Sequence, residues 1–365
     1  MSLLTPNRWS TVRRLFESAI NMPTIERAAY LQAECADDSD TREEVLSLLA
    51  ADEVPFDMPV DRDPDSRHAD AAENFPEILG FKIVKRIGAG GSSRVFEAIC
   101  LENGARVALK VMNSGSNGQS LLRFRQESRV LSRLSHPGIV RLHETGQTQD
   151  GQIYLAMDFV EGQRIDEWCT SHALSPQERV AAVLQVLDAL EHAHAAGVIH
   201  RDIKPHNILV NTEGQVHLVD FGVARLTRED GNRTGFHTET GNIVGTFAYM
   251  SPEQADGKAS RIGPATDVYQ TALVLFQLLT GRLPYEVEDR GAMALLKAVL
   301  FERRMLLSEV VPELSGAIED VISAALNVDP VQRPQTVQLF AAQLPIALAQ
   351  MDGLARSMPA VRSGE

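Results

Sequence analysis

The stretch HRDIKPHN, residues 200–207, restricts the fold more than any other segment. It packs a histidine, an arginine, an aspartate, a lysine and an asparagine into eight positions. LQVLDALEHAHAAGVI precedes it with helical periodicity and ILV follows at once, so the segment is pinned between a helix and a strand. Ionisable groups at the edge of a core need partners, because burying an unpaired charge is strongly unfavourable. Two readings compete, a solvated charged turn and a catalytic loop, and the rest of the chain decides between them.

GAGGSSRV (88–95) sets Gly88 and Gly90 in a turn between two predicted strands, LGFKIVKRIG and RVFEAIC. Glycine lets backbone N–H groups approach phosphate oxygens, although ordinary hairpins use such pairs too. A dinucleotide fingerprint is excluded because a strand, not a helix, follows, and no G-K-[ST] ending makes it a P-loop. Lys110 ends the strand RVALKV, with Val107 and Leu109 facing the other way, and Glu127 in the next predicted helix is its expected ion-pair partner. In the loop, Asp202 can take or orient the proton of an attacking hydroxyl, and Lys204 can neutralise a transferred phosphoryl group. Asn207 and Asp220 of VDFG offer hard oxygens for a magnesium ion, the short strand pair between them returning Asp220 beside Asn207. Each residue alone is weak evidence. Together they arrive in order as phosphate turn, lysine, glutamate, catalytic loop and metal aspartate.

The flanking regions differ in character. Of the net charge of −14, residues 1–78 carry −10, with seven Lys/Arg against seventeen Asp/Glu, which argues against nucleic acid or anionic membrane as a main partner. Residues 1–54 predict about three short helices, over 6–20, 24–35 and a third capped by Ser39 or Asp40, with Asp40 and Glu43 at capping-box spacing. Residues 55–78 are an acidic, proline-containing stretch that predicts a disordered linker. From Ser175 the pattern is mostly helical, so a β-rich small part followed by a larger helical part implies two lobes. Cys35, Cys100 and Cys169 form no C-x-x-C pair and read as reduced thiols. MSLLTPNRWS lacks the features of a secretory signal, and no apolar stretch reaches the ~20 residues of a membrane span, which gives the expectation of a cytoplasmic protein.

These motifs resemble those of the protein kinase family, specifically bacterial serine/threonine kinases similar to eukaryotic ones, over residues 79–344. GTFAYMSPE (245–253) is similar to the family's loop ending in A-P-E, TDVYQ supplies the buried aspartate Asp267, and DPVQRP supplies Arg333 to pair with Glu253. The resemblance implies a bilobal α+β fold, a 345–365 tail, and transfer of the ATP γ-phosphoryl to Ser/Thr hydroxyls of proteins in bacterial signal transduction. It assigns Asp202, Lys204, Lys110 and Glu127 to catalysis, Asn207 and Asp220 to Mg2+ (or Mn2+), and Met157 to the gatekeeper position. Nucleotide would contact Ile87, Gly88, Gly90, Ser93, Val95, Ala108, Lys110, Met157, Leu209 and the backbones of Asp158 and Val160. Leu131, Leu142, His200 and Phe221 match the family's stacked apolar spine.

Arg201 is read as a buried positive charge awaiting an anion, which a phosphothreonine at Thr238 or Thr240 can supply, while Thr246 contacts Asp202 and Lys204 structurally. Departures are Ser93 for the third glycine, Phe247 where proline is common, and Ala272 where glycine is usual. None removes a catalytic group. His192, His194 and His200 invite a zinc reading, against which the family's helix commonly carries histidines. Alternatives to the kinase are a pseudokinase scaffold and a small-molecule kinase on the same fold. Expected partners are ATP and protein substrates, with homodimerisation for trans-autophosphorylation and a protein contact for the N-terminal helices.

Overall fold

The computed structural model of the chain describes residues 75–89, 93–115, 128, 130–221, 248–257, 259–285, 292–301 and 303–357, together with 22–35 and single positions between 11 and 49. Near the N-terminus, helix α1 (Thr24–Cys35) contributes Leu31 and Cys35 to a small separate core with Leu15, Ala19, Val45 and Leu49. Ahead of the third helical pattern one oxygen of Asp38 accepts the Thr41 N–H at 3.0 Å and the other the Thr41 hydroxyl at 2.6 Å, while Ser39, Asp40 and Glu43 lie outside the described residues. A carboxylate three residues before a free N–H satisfies it directly, and Asp38 supplies both acceptors.

The small lobe is a five-stranded antiparallel sheet in the order β1-β2-β3-β5-β4. Its strands are β1 (Phe81–Ala89), β2 (Ser93–Cys100), β3 (Arg106–Gly115), β4 (Leu142–Gln147) and β5 (Gln152–Asp158). Alternation sorts the side chains onto two faces. Phe96, Ala98, Val107, Leu109, Val111, Tyr154 and Ala156 pack together with Ile78 on one face. Register places Val95 and Leu155 opposite Lys110, and Met157 opposite Ala108, so these residues share the other face. There Met112, Leu142, Ile153 and Leu155 form a second cluster with Leu131 and Met157.

The large lobe holds the main core. Helix α2 (Ile165–Ser171) leads into α3 (Pro176–Ala195), which starts on a capping box: Ser175 Oγ accepts the Glu178 N–H, and the Glu178 carboxylate accepts the Ser175 N–H. A three-stranded sheet, β6 (Gly162–Arg164), β7 (Ile208–Asn211) and β8 (Val216–Leu218), lies beside it. The short helix α4 (Pro252–Ala255) precedes α5 (Pro264–Thr280), whose residues are buried almost throughout and which ends at Gly281 in the left-handed conformation (φ +79°). Helices α6 (Ala292–Phe301), α7 (Ala317–Ala325) and α8 (Val337–Ser357) complete the lobe. Helix α8 runs through Pro345, across the boundary expected between domain and tail at 344/345. Proline costs one backbone bond there, and burial of Leu344 and Ala347 on either side offsets it.

Glu253 and Arg333 lock the lobe. Both side chains are 0% exposed, and the guanidinium donates to the two carboxylate oxygens at 2.9 and 2.8 Å. Its remaining donors reach the carbonyls of Ala265, Asn327 and Val328, and its plane stacks 4.6 Å from the Tyr269 ring centre. Removing one partner strands a buried charge, so Arg333→Ala is expected to lower unfolding free energy by about 3–5 kcal/mol. Urea denaturation measures this, and a loss below about 1 kcal/mol contradicts the lock.

Candidate active site

Asp267, on α5 and 0% exposed, organises the loop. One carboxylate oxygen accepts the His200 N–H at 2.9 Å and His194 Nε2–H at 2.7 Å; the other accepts the Arg201 N–H at 2.8 Å. Such an arrangement holds Arg201 at φ +66°, in the left-handed region that costs a non-glycine residue energy. His200 is also 0% exposed; its Nε2 donates to the Val219 carbonyl at 3.1 Å while Nδ1 accepts the Asp202 N–H at 3.4 Å. Both ring positions are thus filled as a neutral imidazole requires, and burial pushes the His200 pKa below its usual value.

The loop then presents its charged groups together. Asn207 Nδ2 donates to both the Asp202 backbone carbonyl (2.7 Å) and carboxylate (2.9 Å), and Lys204 Nζ lies 3.1 Å from the same carboxylate. The Val219 N–H donates to the Asn207 carbonyl at 3.0 Å, which brings Asp220, itself at φ +61°, next to the loop as the strand-pair argument expects. Lys110 Nζ makes a 2.8 Å ion pair with Asp220, with the lysine side chain 10% exposed. The expected partner of Lys110, Glu127, lies outside the described residues, as do Gly90, Thr238, Thr240 and Thr246. Asp220 is thereby tied to the small lobe through Lys110 and to the large lobe through Val219.

The remaining predicted residues fall into place around this centre. Val95, Ala108 and Met157 share the sheet face that carries Lys110, and Leu209 is half-buried on β7. Ser93 is buried at the start of β2, Gly88 pairs with Val95, and Ile87 is partly exposed. The Asp158 N–H donates to the Arg141 carbonyl at 3.1 Å and so is not available to a ligand; Val160 lies two residues further on. His200 and Phe221 stack with ring centres 4.5 Å apart, and Leu131, Leu142 and Phe221 line one cavity of about 40 Å3 with Lys110.

Arg201 departs from expectation. Its backbone, not its side chain, is what the core holds, and the side chain is exposed. His194 was passed over as an ordinary helix residue, yet it donates to Asp267. The spacing H-A-H-A-A-G-V-I-H was the signal, since His194 sits on the last turn of α3 facing the loop. The zinc reading fails on the same contacts, and no cluster of three or more metal-binding His, Cys, Asp or Glu side chains exists among the described residues. Asn207 and Asp220 instead offer hard oxygens alone, a donor set that fits Mg2+ completed by phosphate oxygens.

Residues 81–344 match the protein kinase domain family. The chain belongs to the protein kinase family. Its relatives include the serine/threonine-protein kinase pkn3 of Myxococcus xanthus, 36% identical over 76% of this chain and 52% of that protein. PrkC of Bacillus subtilis is 32% identical over 73% of this chain and 40% of its own length. Pkn1 of Myxococcus xanthus is 36% identical over 74% and 38% respectively. The chain thus spans about half or less of these relatives' lengths. Each of these bacterial relatives is named a serine/threonine-protein kinase.

Asp267→Asn turns one acceptor into a donor facing N–H groups, and is expected to cost about 1.5–3 kcal/mol in urea denaturation. His200 gives a pH signature. Its folded pKa is depressed, so the stability it contributes is complete above the unfolded value of about 6.5 and is lost as pH falls below it, because only the unfolded chain takes up the proton. A urea midpoint that drops between pH 7 and 5 in the parent, and drops less in His200→Phe, is the expected result.

Proposed function

We propose that the protein transfers the γ-phosphoryl group of ATP to serine or threonine hydroxyls of proteins. The contact that carries this reading is the Lys110–Asp220 ion pair at 2.8 Å, because it joins the sheet face suited to a nucleotide to the loop bearing Asp202. Magnesium, held by Asn207 Oδ1 and the Asp220 carboxylate, would neutralise phosphate charge. Lys110 would anchor the non-transferred phosphates, exchanging its carboxylate contact for phosphate oxygens. Asp202, kept in place by Asn207 and 30% exposed, would orient the hydroxyl and receive its proton. As the new O–P bond forms and the bridging β–γ bond breaks, Lys204 would neutralise the transferred group and ADP would depart.

The same reading makes Thr238 and Thr240 autophosphorylation sites whose phosphates pair with the exposed Arg201 guanidinium. Thr246 would position Asp202 and Lys204, and Glu127 would join Lys110 in the competent state. Two copies would meet for trans-phosphorylation, and the N-terminal helices would recruit a protein partner. A cytoplasmic signalling role fits the acidic charge and the described helices, none of which is long and apolar enough to cross a membrane.

Incubation with radiolabelled ATP and magnesium is expected to label the protein, with mass spectrometry placing label at Thr238 or Thr240. Asp202→Asn is expected to cut the rate by about 10^2- to 10^4-fold. Nucleotide binding without any labelling of the chain or of generic protein substrates points to a scaffold instead.

A further inference from the structure

Two glutamines hold the catalytic loop beside Asp267, Gln270 from three residues further along α5 and Gln254 from α4. The Arg201 carbonyl accepts from Gln254 Nε2 at 2.8 Å and from Gln270 Nε2 at 3.2 Å. Gln270, on α5 and 2% exposed, donates its second N–H to Gln254 Oε1 at 2.9 Å, and its own Oε1 accepts the Ile203 N–H at 3.0 Å. Gln254 Oε1 further accepts the N–H and hydroxyl of Ser251, both at 3.1 Å. Every polar group of the Gln270 amide is thus used, which fixes its orientation. The bonds fall on either side of Asp202: one residue before it at a carbonyl, one residue after it at an N–H.

A left-handed residue such as Arg201 persists only where its surroundings over-determine it. Asp267 does so at the N–H; the glutamines do so at the carbonyl. Without them the Arg201–Asp202 peptide plane keeps only the 3.4 Å bond from the Asp202 N–H to His200 Nδ1, and the Asp202 carboxylate is held less firmly against Lys204 and Asn207. Glutamine is suited to the task because one amide supplies two donors and an acceptor across the gap from α5 to the loop. Apolar side chains of similar length fill the space and hold nothing.

We infer that Gln270, with Gln254, is a positioning residue for Asp202, and that the pair makes docking of the 251–254 turn a condition for a competent loop. This rests on the kinase reading above. The test uses the full chain carrying Gln270→Met, Gln254→Met, both together, and Gln270→Glu, which keeps the acceptor for Ile203 and loses both donors. The readouts are kcat, KM for ATP, nucleotide Kd by calorimetry, amide hydrogen exchange across 199–204, and urea denaturation.

In Gln270→Met, kcat is expected to fall about ten- to hundredfold with KM and Kd nearly unchanged, and the Ile203 amide to exchange faster. The double variant is expected to be no worse than the worse single one, because both act on one carbonyl. Should Gln270→Met unfold, Gln270→Glu carries the same expectations for kcat. Parental kcat in folded Gln270 variants would overturn the inference, as would a loss that tracks nucleotide affinity or adds fully in the double variant. A parent chain that transfers no phosphoryl sinks the kinase reading instead; exchange at Ile203 then decides the clamp, and an unchanged rate in Gln270→Met overturns it.

Discussion

A buried carboxylate can hold a strained loop only if both of its oxygens are met by donors, and Asp267 meets that demand. Its oxygens take two backbone N–H groups and one imidazole N–H. A neutral amide could not accept from all three, and a charge without such donors would be costly to bury. The helix that carries it, α5, is buried along most of its length and packs within the core of the large lobe. Rigidity is therefore delivered from the deepest part of the core to the most polar part of the surface. The loop's density of ionisable groups follows, because the backbone beneath them is paired and Asp202, Lys204 and Arg201 keep part of their side chains toward solvent.

The small lobe solves a related problem with a sheet. Alternation puts Leu109 on the apolar outer cluster and Lys110 on the inner face, so one strand both anchors itself and presents a cation. That cation meets Asp220, whose position depends on the Val219–Asn207 backbone bond in the other lobe. The small-lobe sheet and the catalytic loop of the large lobe thus converge on one carboxylate. Ile139 reinforces the junction by bridging to Leu218 of β8.

Much of this was legible beforehand. Period-2 and period-3.6 patterns identify the strands and the long helices, and the helical pattern that opens at Ser175 matches the start of α3. The reading missed at Arg201, where backbone conformation decides. Arg201 reads as a buried charge because its neighbours are buried; a left-handed backbone, invisible in a residue string, leaves its side chain outside.

By itself the sequence determined which chemical groups are present and in what order: the glycine turn, Lys110, the HRDIKPHN loop, Asp220, Glu253, Asp267 and Arg333. Order and local periodicity are properties of the chain, so they survive without coordinates. Only the tertiary structure decided who pairs with whom. It set Lys110 against Asp220, His194 against Asp267, and Gln270 against the loop's own backbone. Such pairings join residues about 60 to 110 positions apart, and hydrogen bonds reaching only about 3 Å are met or missed by how helices and sheets pack, which no local pattern encodes.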